Sequence, residues 1–166
     1  MKMENKKRKP IAKKTTSEVK RWQRLAHDLI FPSVVVVPLW FGMGRSLFGI
    51  SGWGIISLTI LALFTLVPYH IILIILSWAG KRAYLSKLAS VLLFVYLALQ
   101  VVVQMTFLDA GDTPEGSSVL TAIGASENLN DTILGIGLSV MIIVMAALLI
   151  VLTVDAINNR RAKSTA

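Results

Sequence analysis

Four stretches of the chain are apolar almost without interruption, and most of its charged residues lie between them or at the ends. A helix that crosses a hydrocarbon core of roughly 30 Å needs about 20 mostly apolar residues. The first stretch, residues 29–48, is the most interrupted, because Arg45 sits near its far end. An Arg there extends its aliphatic stem and keeps its guanidinium among the headgroups. The others are residues 53–79, 85–108 and 133–156. These three are too long for buried helices of a small soluble domain. The pattern predicts an all-α integral membrane protein, a bundle of four transmembrane helices.

The pattern changes just before the first stretch. Thr15 and Glu18 have capping-box spacing. Val19, Trp22, Leu25, Ala26 and Leu29 then recur at helical intervals, with Lys20, Arg21 and Arg24 on the other faces. This predicts a short amphipathic helix lying on the membrane surface. Trp22 would sit at the boundary, with Lys20, Arg21 and Arg24 on lipid headgroups. The preceding KKRKPIAKK is expected to stay without structure, since like charges repel and Pro10 interrupts a helix.

Charge then orients the spans. Ten of the 17 Lys and Arg lie in residues 1–28, three in 80–87 and three after residue 157. Four crossings put all three segments on one side. The other side holds Arg45 and a loop, residues 109–132, with five acidic residues and no basic one. The positive-inside rule therefore predicts both termini in the cytoplasm. The expected organisation is a basic segment 1–28, a membrane domain 29–157 and a basic tail 158–166. No small-x-small cleavage site follows Val34–Val37, so the first span reads as retained. Glu4 and Glu18 argue against a mitochondrial presequence.

Composition agrees with this reading. The hydrophobic fraction is 55% and the charged fraction 16%, against about 25% charged in soluble domains. The net charge of +8 sits beside apolar spans, which points to anionic lipid headgroups and not to nucleic acid. With no Cys, disulfides, thiolate metal sites and thiol nucleophiles are excluded.

Two loops carry further signals. In the acidic loop, Thr113, Pro114 and Gly124 suit the cap, first turn and end of a short helix. The spacing of Asp109, Asp112 and Glu115 does not match a calcium loop, and Asn130-Asp131-Thr132 reads as a chance sequon too close to the membrane. FGMGRSLFGISGWG holds five glycines and predicts a tight hairpin between the first two spans.

Candidate chemistry lies inside the spans. Pro38 and Pro68 cannot donate to the carbonyls of Val34 and Phe64, and both predict kinks. The Thr65 hydroxyl is placed to serve a freed carbonyl. Thr59, His70 and Ser77 share one face of the second span; Tyr96, Gln100 and Gln104 share one face of the third. Polar groups in hydrocarbon are costly, so both faces should point into the bundle. At 1.5 Å per residue, His70 falls about 6 Å from the midplane and Tyr96 near it, which makes them expected neighbours. As interhelical glue, each hydrogen bond is worth about 0.6–2 kcal/mol. As a site, His70 would bind a ligand or a proton. In the fourth span, Gly135 and Ser139 form a small-xxx-small pair facing either the first span or another protein.

No catalytic motif, Gly-rich phosphate loop, metal-ligand set or cofactor box occurs, and no carboxylate lies deep in a span. The expectation is a non-enzymatic accessory or structural subunit of a bacterial cytoplasmic-membrane complex, with other membrane subunits or its own copies as partners. The alternative is a homo-oligomeric channel or small-solute transporter lined by His70, Tyr96 and Gln100.

Overall fold

The computed structural model describes residues 21–48, 53–80, 83–107 and 118–164. They form α1 (Arg21–Met43), a 3-10 turn (Gly44–Phe48), α2 (Trp53–Ala79), α3 (Lys87–Thr106), a single-turn α4 (Val119–Ala122) and α5 (Glu127–Ser164). Among the described residues there is no strand. Four helices are long and apolar enough to cross a membrane.

The second and third helices match their apolar stretches closely, but the first and fourth do not. α1 starts at Arg21, so residues 21–28 are its first two turns and not a separate surface helix. Residues 15–20, including the expected cap at Thr15 and Lys20, lie outside the described residues. α1 also runs through Pro32 and Pro38 without a break. Each proline withdraws one donor, from the carbonyls of Asp28 and Val34, while the neighbouring hydrogen bonds keep the helix going. At the other end the helix tightens to a 3-10 turn at Gly44, ahead of the apolar boundary at Phe48. The indole ring of Trp40 fills the space where a Gly44 side chain would stand, 3.0 Å away. The side chain of Arg45 lies outside the described residues.

α5 has 38 residues, about 57 Å at 1.5 Å per residue. It therefore outruns a hydrocarbon core of roughly 30 Å. Hydropathy marks only the part that matches lipid; backbone hydrogen bonding continues into the polar flanks. In the 118–126 segment, Ser118 caps α4 in a capping box with Thr121. Gly124 ends it at φ 102°, a left-handed conformation suited to glycine. The expected start at Thr113 and Pro114 lies outside the described residues.

The helices run up and down. Near the start of α1, Gln23 donates through Nε2 to the Leu85 carbonyl at 3.0 Å and accepts from the Leu85 amide at 3.3 Å. Gly80, after α2, sits against Asn159 near the end of α5. The start of α1, end of α2, start of α3 and end of α5 thus share one end of the bundle. At the opposite end, Phe41 meets Phe107 edge-on at 5.4 Å between ring centres. α1 packs on α2 and α3, and α5 on α3 and α2, closing a ring of four.

Apolar stripes with steps of three, four and seven residues build the core. They are Ala26, Ile30, Val37 and Phe41; Leu58, Ala62, Leu66, Tyr69 and Leu73; Ala89, Leu93, Tyr96 and Val103; and Met141, Val144, Leu148 and Leu152. Spacings of three and four keep a stripe on one helical face. The opposite faces carry exposed large apolar residues, including Phe64, Ile75, Ile143 and Ile150. A water-soluble bundle would bury such residues; a bilayer solvates them.

Candidate functional site

At the centre of the bundle, three aromatic rings from α2 and α3 form a triangle. Ring centres of Tyr69 and His70 are 5.7 Å apart, those of Tyr69 and Tyr96 5.3 Å, and those of His70 and Tyr96 5.5 Å. His70 and Tyr96 have 0% exposure. Tilted and edge-on rings at such distances attract through their quadrupoles.

Hydrogen bonds fix the polarity of the cluster. His70 Nδ1 lies 2.7 Å from the Leu66 carbonyl, one turn earlier. A carbonyl only accepts, so Nδ1 carries the proton. That leaves Nε2 as an acceptor, and the Tyr96 hydroxyl donates to it at 3.4 Å. Tyr69 Oη donates to the Met145 carbonyl on α5 at 3.1 Å. Three helices are joined, and both imidazole nitrogens are engaged. Tyr69 stands with Pro68 and His70 in the polar interruption of the second span, but its bond to a main-chain carbonyl 76 residues away has no local signal.

The remaining expected residues divide. Gln100 and Gln104 continue the Tyr96 face and are buried at 1% and 0% exposure. The Gln100 amide interacts with the Tyr96 hydroxyl, while among the described residues the Gln104 amide and the buried indole nitrogen of Trp40 find no hydrogen-bond partner. Trp40 and Gln100 line the same apolar groove between α1 and α3, with Val36, Val37, Leu97 and Val101. Thr59 stands elsewhere. Its hydroxyl donates to the Ile55 carbonyl at 2.6 Å, and its side chain packs where a Gly42 side chain would be. Eleven residues, about 16 Å of helix, separate it from His70.

Pro38 is buried at the α1–α2 contact, whereas Pro68 is exposed on α2. Thr65 donates to the Leu61 carbonyl at 2.6 Å, one turn before itself, and not to the Phe64 carbonyl that Pro68 leaves unserved. Arg21 and Arg24 are exposed and Trp22 is half-buried at the start of α1.

A second polar cluster at the opposite end of the bundle was not foreseen. Asn130 is fully buried. Its Nδ2 donates to the Thr106 carbonyl at 3.0 Å and its Oδ1 accepts from Ser118 Oγ at 2.7 Å. It ties the end of α3 to the α4 cap and to α5, so the sequon asparagine has no free amide for a glycan.

Among the described residues no three His, Cys, Asp or Glu side chains gather closely enough to hold a metal ion. The chain matches no protein-family model, no curated protein and no solved structure.

Proposed function

We propose that this protein is a non-enzymatic accessory or structural subunit of a membrane complex, held in the cytoplasmic membrane with both termini inside. The observation that carries this reading is the closed chemistry of the core. His70, the one titratable residue there with an ordinary range near neutrality, spends one nitrogen on Leu66 and the other on Tyr96. What remains for function is the outer surface of the helices.

The face of α5 that bears Gly135 and Ser139 is the best candidate for the partner. Among the described residues Gly135 has nothing within 4 Å of where a side chain would begin, so no described helix covers it. At Gly137, two residues on, a side chain would instead begin 2.9 Å from Val103 of α3. Small residues let a second helix approach closely. Headgroup contacts of Lys20, Arg21, Trp22 and Arg24 would hold the basic end in the anionic leaflet.

The test is a bulky substitution at the uncovered glycine. Gly135→Leu should leave the isolated protein folded and monodisperse yet release its co-purifying partner. Retention of the partner by that variant removes the α5 face from the reading.

One observation favours the alternative of a homo-oligomeric solute pathway: the buried amides of Gln100 and Gln104, the second without a partner among the described residues. Such groups in hydrocarbon are costly unless water or a solute meets them. That reading requires solute flux through reconstituted vesicles, abolished by His70→Ala or Gln100→Leu in a folded protein.

A further inference from the structure

A cleft between α1 and α2 lies at the end where α1 begins and α2 finishes, apart from the central ring cluster and from the α5 face. Its volume is about 200 Å³. Its polar end is formed by His27 and Asp28, and its apolar walls by Ile30, Phe31, Ile74 and Trp78. The order of these residues has a direction. Trp78 is next to the last residue of α2, while Ile74 lies one turn deeper; Ile30 and Phe31 lie deeper than His27 and Asp28 along α1. Tryptophan near a helix end marks the water–lipid boundary. The polar groups therefore stand at the headgroup level, and the apolar walls run towards the hydrocarbon.

The polar end offers acceptors. His27 Nδ1 donates to Asp28 Oδ1 at 3.3 Å. In its neutral form the ring then presents Nε2 as an acceptor. The Asp28 carboxylate is largely exposed, with one oxygen not engaged by His27. The Asp28 main-chain carbonyl loses its usual helical donor, because the residue four positions on is Pro32. Among the described residues no Lys or Arg lines the cleft. Ser77 adds no donor, since its hydroxyl is committed to the Ile74 carbonyl at 2.8 Å. A negative charge with acceptors only asks for a cation that carries several N–H groups. Arg24 is exposed one turn before Asp28, where a neighbouring phosphate would meet a guanidinium.

We propose that this cleft binds a membrane phospholipid with a primary ammonium headgroup. The ammonium donates to the Asp28 carboxylate, the Asp28 carbonyl and His27 Nε2. The phosphate lies towards Arg24, and an acyl chain runs between Phe31 and Ile74. A quaternary ammonium of equal charge has no N–H to give and is discriminated against. The proposal rests on the helices spanning a bilayer and is independent of any protein partner.

The experiment is native mass spectrometry of the full chain in mild detergent, with phospholipids of identical acyl chains carrying ethanolamine, choline or glycerol headgroups. The expected result is retention of the ethanolamine lipid about tenfold above the choline lipid, the size of effect for loss of one or two charge-assisted hydrogen bonds. Asp28→Asn should abolish the preference, and Asp155→Asn, at the same end of the bundle but outside this cleft, should keep it. Circular dichroism and a monodisperse elution profile verify folding of each variant. Equal retention of ethanolamine and choline lipids overturns the proposal, as does preference for the glycerol lipid or an unchanged preference in Asp28→Asn.

Discussion

Removing the Tyr96 hydroxyl tests whether the central cluster is glue. Tyr96→Phe keeps the ring, and with it the contacts to Tyr69 and His70. It deletes the 3.4 Å bond to His70 Nε2 and the hydroxyl's interaction with Gln100. Interhelical hydrogen bonds in membrane bundles are worth about 0.6–2 kcal/mol. A long bond belongs near the bottom of that range. The loss also leaves Nε2 unserved on a fully buried ring, which raises the total to about 1–1.5 kcal/mol. His70→Leu removes the same bond, orphans the Tyr96 hydroxyl and replaces the bond to Leu66, for about 2 kcal/mol. The two substitutions share one interaction, so the double variant should lose about 1 kcal/mol less than their sum. Reversible unfolding in detergent, followed by circular dichroism for the two single variants and the double, measures this coupling. Additivity within about 0.5 kcal/mol would refute the claim that the two side chains hold each other.

Other outcomes follow from the same geometry. Gly42→Ala drives a methyl group into Thr59, whose Cα stands 3.1 Å from that position; unfolding measurements should show a loss of about 1–3 kcal/mol, only partly restored by adding Thr59→Ala. Asn130→Ala leaves the Thr106 carbonyl and the Ser118 hydroxyl without their buried partner; a loss of about 2–3 kcal/mol is expected, with faster proteolysis in the segment around Ser118. Gln104→Leu replaces two unpaired buried polar atoms by apolar ones of similar size, so it should be neutral or raise the unfolding midpoint. A marked drop in stability would mean that ordered water or a ligand serves that amide.

The four helices were legible because lipid imposes a simple rule: about 20 apolar residues in a row. Their ends were less so. Arg21, Trp22 and Arg24 look like a separate surface helix when only the apolar face is followed, yet no residue before Pro32 stops the hydrogen bonding, and α1 continues. The neighbourhood of His70 and Tyr96 followed from depth alone, since 1.5 Å per residue places both near the middle. The partners of Tyr69, Gln23 and Asn130 did not. Each bonds a main-chain group or a residue far away in sequence, and no periodicity encodes which carbonyl a side chain will meet. Thr59 shares a helical face with His70 but not its level, so a shared face was a poor guide to a shared site.

As proposed above, the protein works as a subunit, through its helix surfaces. The most direct measurement is gentle extraction from native membranes, with the mass of the intact assembly and the identity of everything in it determined together. A second membrane protein in fixed stoichiometry is expected, lost in Gly135→Leu. A homogeneous assembly of this chain alone, able to pass solute when reconstituted, would contradict it.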